Sequence, residues 1–216
     1  MKIVPLSAEI ITPIDGVYIC KFIEKCARNC YRSEGKLTDD SYKDLLPRLI
    51  QSGHTAMLEH FSITVRMTMN VGCYKDLTRH RCASYAIEST RWCNYSNDRF
   101  GNEITVIDPI HIDHTKEEFQ VWKDTMQAIE DGYNKMASLG CKPDALRELL
   151  PHSAKGDVIM TANIREWRHV FNVRCKKNVA PELQYVLGLV LKEFKAKIPI
   201  LFDDVVADEL PYTYNV

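Results

Sequence analysis

The sequence predicts an α+β fold in which helices pack on a small, mainly antiparallel sheet. Two observations support this class. Segment 61–69 alternates apolar and polar residues, which is typical of a strand with one buried face. The remaining strands and helices follow one another irregularly, whereas regular alternation would favour a doubly wound parallel sheet. The length of 216 residues and the 45% hydrophobic content allow one domain, or two small ones that share a core.

The elements are justified in chain order by their periodicity and end signals. Helices are predicted over 17–31, 38–51, 73–82, 115–139, 143–147, 164–174 and 181–195, and short strands over 104–107 and 158–161. Thr38 or Asp39 is the expected N-cap of the second helix. The residues from Thr115 to Glu118 form a capping-box pattern, and Gly140 follows the last residue of that helix.

The overall charge excludes some classes of function. The chain has 28 Lys+Arg and 29 Asp+Glu, so a net charge of −1 argues against broad binding of nucleic acid or anionic membranes. No apolar run approaches the ~20 residues needed to span a bilayer. The first residues lack the apolar stretch of a signal peptide. A cytoplasmic protein is therefore expected.

The eight cysteines form no CxxC pair, which gives little support to zinc-ribbon or thioredoxin-like folds. Most are expected to be buried, structural thiols. Cys82, Cys93 and Cys175 each adjoin a basic residue. Because a nearby cation lowers the pKa of a thiol, these three are the candidates for a reactive cysteine.

The segment 79–91 is a local cationic cluster in a nearly neutral chain. It contains Arg79, His80, Arg81 and Arg91, together with Ser89. Arginine binds phosphate bidentately through charge-assisted hydrogen bonds. If the first three residues are helical, their side chains point about 100° apart and cannot all bind one phosphate. They would then serve more than one group or more than one subunit.

The predicted helix 164–174 ends an apolar stripe with an arginine. Trp167, Val170, Phe171 and Arg174 share one face at helical spacing. The arginine must either reach water along its aliphatic stem or meet an anion. Because the sequence also contains the 79–91 cluster, an anionic ligand for Arg174 is the preferred interpretation.

A metal site is not expected in the segment that precedes the first long strand. It contains His54, Glu59 and His60, but the histidines are six residues apart, unlike the i, i+4 pair of a helical zinc site. Structural roles are the preferred interpretation of both histidines.

Four segments, taken in chain order, resemble the signature of the flavin-dependent thymidylate synthases. They are a His-x4-Glu-His element at 54–60, an Arg-His-Arg-x7-Ser element at 79–89, Arg147 ahead of Leu150-Pro151, and an Asn-x-Arg-Glu segment from Asn163 to Arg174. The resemblance covers about 27–183. It implies a single domain over 1–216 that assembles as a homotetramer and binds FAD and dUMP at subunit contacts. NADPH would reduce the flavin, and methylenetetrahydrofolate would supply the carbon that converts dUMP to dTMP.

The resemblance also implies roles for individual residues. The implied dUMP-binding residues are Asp76, Leu77, Thr78, Arg79, Glu88, Ser89, Thr90, Arg91, Arg147 and Arg174. The implied FAD-binding residues are His54, Ala56, Arg79, His80, Arg81, Ile87, Asn163, Arg165 and His169. Arg174 is the implied catalytic residue, because a cation beside the pyrimidine favours its N3-ionised form.

Several positions depart from the usual residues of this family, and they keep two other readings open. The departures are Ala56, Asp76, Ala86, Ile87 and Trp92. The first alternative is a catalytically altered nucleotide- or flavin-binding protein of the same fold. The second is a single-stranded nucleic-acid binder that stacks bases on Tyr85, Trp92 and Tyr95, and the near-zero net charge counts against it.

Overall fold

The computed structural model describes residues 1–97 and 101–210. The strands are β1 (Lys2–Val4), β2 (Ser7–Ile10), β3 (Ser62–Asn70), β4 (Ala83–Ile87), β5 (Thr105–Ile107) and β6 (Lys155–Asn163). The helices are α1 (Gly16–Asn29), α2 (Tyr42–Gln51), α3 (Val71–Leu77), α4 (Glu117–Ser138), α5 (Pro143–Leu146), α6 (Ile164–Arg174), α7 (Pro181–Lys197) and α8 (Pro199–Phe202). Short 3-10 turns lie at Glu34–Lys36, Ala56–His60 and Arg147–Leu149.

The main sheet has four antiparallel strands in the order β2-β3-β6-β4, and β1 and β5 form a separate parallel pair. This arrangement of helices around a mostly antiparallel sheet confirms the predicted α+β class. Strands β3 and β6 pair along their full length, from Ser62 opposite Asn163 to Asn70 opposite Lys155. Since both strands lead directly into helices, the sheet fixes where α3 and α6 begin.

The principal core lies between the sheet and helices α6 and α7. Trp167 on α6 is fully buried, stacks on Phe171 with ring centroids 5.7 Å apart, and meets Phe194 of α7 edge-on at 5.5 Å. Its indole Nε1 donates to the carbonyl of Ile63 on β3 at 3.0 Å. The apolar stripe expected on this helix is therefore confirmed, and it holds α6 firmly against the sheet.

A second, smaller cluster packs α4 against β5 and α5. It includes Val106, Met126, Tyr133 and Leu146, all of them buried. This cluster sets the position of the short helix α5 and of the turn that carries Arg147. No helix among residues 1–97 and 101–210 is long and apolar enough to cross a membrane.

The predicted helix 73–82 is wrong at both ends. The helix α3 begins earlier because the side chain of Asn70 accepts from the backbone N–H of Cys73 at 2.8 Å. It ends at Leu77, and the chain then turns, with the Tyr85 hydroxyl hydrogen-bonded to the carbonyls of Leu77 and His80. The basic residues 79–81 therefore lie in a turn between α3 and β4 rather than on a helix.

The predicted capping box at the start of α4 is also wrong. The Thr115 hydroxyl donates to the carboxylate of Asp113 at 2.7 Å and does not cap the helix, which begins at Glu117 and ends at Ser138. Similarly, α2 begins at Tyr42 rather than after Thr38, because the Ser41 hydroxyl bonds to the backbone of Thr38 in a preceding turn. In both cases a local hydroxyl or carboxylate contact replaces the expected cap.

Candidate functional site

The side chain of Arg174 links the end of α6 to the end of α3. It is half-buried, its Nε donates to Nε2 of His80 at 3.1 Å, and its Nη2 donates to the carbonyl of Asp76 at 2.9 Å. The guanidinium is therefore held in one orientation by two contacts. Its Nη1 has no hydrogen-bond partner among the described residues, so that edge is available to a ligand.

His80 lies between the first and last turns of α6. Its Nδ1 is 3.2 Å from Oε1 of Glu166, its ring meets that of His169 edge-on at 5.4 Å, and the imidazole is almost fully buried. Burial, and secondarily the charge of Arg174, lower the pKa of His80 against the opposing effect of Glu166. His80 is therefore neutral at neutral pH.

His80, Glu166 and His169 also form the one group with metal-ligand geometry among residues 1–97 and 101–210. The ligand atoms of His80, Glu166 and His169 lie within 4.8 Å of one another. Both nitrogens of His80 are engaged, one with the carboxylate and one with the Arg174 guanidinium. A cation beside that guanidinium would be repelled, so a hydrogen-bonded relay explains the group better than a metal centre does.

Arg91 binds the carboxylate of Asp144, and the charge of Arg147 acts on the same carboxylate. Arg91 Nε donates to Oδ1 of Asp144 at 2.7 Å, and both side chains are about 60% exposed. The hydrogen bond from Arg91 lowers the pKa of Asp144, and the charges of Arg147 and Lys142 add to the effect. The positive charges of Arg91, Arg147 and Lys142 therefore stabilise a negative charge at this position. One predicted dUMP-binding arginine, Arg91, thus contacts this carboxylate, and a second, Arg147, acts on it through its charge.

Replacing Asp144 by Asn is expected to strengthen binding of dUMP. If Arg91 binds the dUMP phosphate, as the resemblance implies, the carboxylate competes for that guanidinium and its removal frees it. Because exposed ion pairs are weak, the gain in affinity should be only roughly two- to fivefold. Calorimetric titration at low salt measures it. Asp39→Asn, which removes an exposed carboxylate that pairs with Lys21, is the matched control. Weaker binding by Asp144→Asn would show that Asp144 holds Arg91 in its binding position instead of competing for it.

A third group carries several of the predicted flavin residues. Arg165 on α6 forms an ion pair with Glu59 in the 3-10 turn Ala56–His60. Ala56, in that turn, and His54, just before it, line a cavity of about 340 Å³ between α1 and α2. Arg79, Arg81, Arg165, His54 and His169 are all exposed. Their guanidinium and imidazole donors suit the pyrophosphate of a dinucleotide cofactor.

Two predicted ligand residues are engaged within the fold. Both carboxylate oxygens of Glu88 are occupied, since Oε1 accepts from the Tyr95 hydroxyl at 3.0 Å and Oε2 from Lys155 at 2.9 Å. The side chain of Leu77 is fully buried in the principal core. A ligand would therefore meet these two residues through their backbone.

The other predicted residues lie close to the three groups. Thr78 is the C-terminal cap of α3, and Asn163 caps α6 by accepting from the backbone N–H of Glu166. Ser89 and Thr90 follow β4 and precede Arg91. Ile87, at the end of β4, is 37% exposed, so an apolar side chain faces outward at this predicted flavin-binding position.

The groups around Arg174 and around Arg91 lie at opposite ends of β4. His80 precedes this strand and Ser89 follows it, and the five residues of β4 span about 13 Å. Within one chain, the predicted base-binding residues and the predicted phosphate-binding residues are therefore separated by the length of β4.

Cys175 is a buried, structural thiol, as expected for most of the cysteines. Burial raises the pKa of this cysteine to about 12 and outweighs the opposing effect of Lys176. Cys82 is exposed in the turn before β4, and Cys93 is partly buried. Only these two of the three candidates remain accessible.

Sequence reasoning missed three residues of the site. Glu166, Asp144 and Lys155 contact His80, Arg91 and Glu88 over separations of 86, 53 and 67 residues respectively. No spacing rule connects residues so far apart. Their acidic or basic character next to predicted ligand residues was the sole signal.

Fold and site together define an α+β enzyme built to bind anionic ligands. The chain belongs to the family of thymidylate synthase complementing proteins, whose family model matches residues 20–200. The resemblance to the flavin-dependent thymidylate synthases is thereby confirmed.

Individual relatives agree with this assignment. The flavin-dependent thymidylate synthase of Geobacter sulfurreducens is 30% identical over 82% of this chain and 78% of its own length. That of Pyrococcus abyssi is 29% identical over 73% of this chain and 64% of its own length.

Two solved structures share the fold. A UMP/dUMP methylase from Streptomyces cacaoi, bound with 5-Br dUMP, superposes with a TM-score of 0.77 at 18% identity and covers 94% of this chain and 96% of its own. Thymidylate synthase X from Helicobacter pylori, with FAD and dUMP, gives 0.74 at 18% identity over 93% and 98%. At this identity the likeness concerns the fold alone.

Proposed function

We propose that the protein makes dTMP from dUMP, with methylenetetrahydrofolate as the carbon donor and FAD, reduced by NADPH, as the hydride carrier. The observation that carries the proposal is the placement of Arg174. Two protein contacts orient its guanidinium, and one edge remains for a ligand. A cation fixed in this way favours the ionised form of an adjacent pyrimidine N3.

The remaining roles follow from the three groups of the site. Arg91, which is hydrogen-bonded to Asp144, and Arg147, whose charge acts on the same carboxylate, would bind the dUMP phosphate. Arg79, Arg81 and Arg165 would bind the pyrophosphate of FAD, which when bound supplies the hydride. Because the hydride comes from a cofactor, no cysteine nucleophile is required. The high pKa of Cys175 is consistent with this mechanism.

We further propose a cytoplasmic, single-domain subunit that assembles as a homotetramer. The separation of the two nucleotide-binding groups along β4 supports sites shared between chains. The outer face of α1 supports subunit contacts, since Val17 and Tyr18 are 52% and 58% exposed and Phe22 stacks on Tyr18. Exposed apolar side chains grouped on one helix are typical of interfaces.

The alternative is a protein of the same fold that binds flavin or nucleotide without this turnover. The exposed Ile87 favours it, because an apolar side chain replaces a polar contact near the proposed ligands. The test is the absorption spectrum of the purified protein, followed by dTMP formation from dUMP, methylenetetrahydrofolate and NADPH. Bound flavin with turnover supports the proposal. Bound flavin without turnover supports the alternative, and a protein that gains no flavin absorption with added FAD contradicts both.

The assembly is tested independently of activity. Light scattering coupled to gel filtration should give four times the 24.9 kDa chain mass. A monomer that turns over dUMP would contradict the proposal of shared sites.

A further inference from the structure

The contacts of His80 fix the position of its proton. The Arg174 Nε–H can only donate, so the His80 Nε2 that it meets at 3.1 Å must be an unprotonated acceptor. A neutral imidazole then carries its hydrogen on Nδ1. That atom faces Oε1 of Glu166 at 3.2 Å and donates to it.

From this chain of contacts we infer that Glu166 is a positioning residue, which selects the tautomer of His80 and thereby orients Arg174 for the substrate. Glu166 does not reach the free edge of the guanidinium itself. It lies two helical turns before Arg174 on α6, and His80 bridges the distance between them. The inference rests on the proposed function only for the identity of the ligand.

The relay is built rigidly at each end. The backbone of Glu166 is fixed by the Asn163 cap at 2.8 Å, and its side chain is 12% exposed. The carbonyl of His80 accepts from the Tyr85 hydroxyl at 3.0 Å. The far end is completed by the bond from Arg174 to the carbonyl of Asp76. In the other tautomer, the N–H at His80 Nε2 would therefore face the N–H at Arg174 Nε, and neither side chain has much freedom to move away.

Protonation of His80 would break the relay in the same way, because it places a hydrogen on Nε2. The charged and titratable groups that face the imidazole are Glu166, His169 and Arg174, all from α6. The Tyr85 hydroxyl of β4 bonds to the backbone carbonyl of His80 instead. Glu166 raises the pKa of His80, whereas burial and Arg174 lower it. Removing the carboxylate should therefore lower the pKa of His80 further, while it also releases the tautomer.

The test is Glu166→Gln, with Asp204→Asn as the matched control. Asp204 pairs with Arg168 on the same helix and lies outside the proposed site. Titration calorimetry with dUMP at pH 7.5 should show about tenfold weaker binding for Glu166→Gln and less than threefold change for the control. Far-ultraviolet circular dichroism establishes that both variants are folded.

The pH dependence of dUMP binding separates positioning from a merely structural role. The affinity for dUMP should fall at acid pH as His80 is protonated, and this fall is the acid limb of binding. In Glu166→Gln the acid limb should move to lower pH, although the variant binds dUMP more weakly at pH 7.5. A structural defect would weaken binding without moving this limb. An acid limb that stays in place, or one that moves to higher pH, would overturn the inference.

The tautomer itself can be read without any ligand. In the full chain labelled with 15N-histidine, long-range proton–nitrogen correlation should show His80 protonated on Nδ1 and bare on Nε2, and a mixture in Glu166→Gln. The His80 signal is assigned from the spectrum of His80→Gln. A proton on Nε2 in the parent protein would contradict the inference. This result stands even if dUMP proves not to be the ligand, which calorimetry reports separately.

Discussion

Arg174→Ala is expected to reduce the affinity for dUMP by roughly 30-fold to several thousand-fold, which corresponds to about 2–5 kcal/mol for losing one partner of a buried, hydrogen-bonded charged pair. The substitution removes the contact to the ligand. It also leaves the His80 Nε2 and the Asp76 carbonyl without their donor. The same loss should appear in kcat/KM for dTMP formation.

Two further variants define the origin of this effect. Arg174→Lys keeps the charge but cannot bond to His80, to Asp76 and to a ligand together, so it should recover only part of the affinity. Arg168→Ala removes another arginine of α6, which pairs with Asp204, and should leave dUMP binding within threefold. If calorimetry showed Arg174→Ala binding as tightly as the Arg168→Ala control, the assignment of the base-binding group would be wrong.

Trp167→Ala is expected to cost about 3–5 kcal/mol of folding free energy, the usual range for truncating a fully buried large aromatic side chain. The indole packs against Phe171 and Phe194, and its loss leaves the Ile63 carbonyl without the Nε1 donor. Since native proteins are stable by only about 5–15 kcal/mol, the variant should lose a large fraction of its folding free energy.

Thermal unfolding followed by circular dichroism, at one fixed protein concentration, measures this change. Trp167→Phe is the matched control, because it keeps most of the ring packing and loses mainly the hydrogen bond. Its melting temperature should lie between those of the parent and Trp167→Ala. Equal melting temperatures for the parent and Trp167→Ala would show that this aromatic cluster does not hold α6 to the sheet.

The sequence predicts an element correctly where its local hydrophobic periodicity agrees with the burial of its side chains. Strand β3 was predicted because Ile63, Val65, Met67 and Met69 alternate with polar residues, and all four are buried. Helix α6 was predicted from its apolar stripe. Strand β4 was missed, because Ala83–Ile87 has no such alternation and is paired on one side only, with β6. Strands β1 and β2 were missed as well, and each has at most four residues.

The errors at helix ends have a common physical cause. The side chains predicted as caps have other partners, as Thr115 has Asp113 and Asp39 has Lys21. The site shows the same limit at longer range. Arg174 was found because a charge at the end of an apolar face needs a partner, but that partner, His80, lies 94 residues away in sequence. Only the tertiary structure joins them.

The length of β4 has a consequence for mixtures of defective chains. If each site takes its phosphate-binding group from one subunit and its base-binding group from another, Arg91→Ala and Arg174→Ala damage different halves of the site. Tetramers reassembled from equal amounts of the two inactive chains would then contain intact composite sites, about a quarter of the total if the subunits mix at random. Because β4 keeps the two groups apart within one chain, the two mutations would complement each other in mixed tetramers.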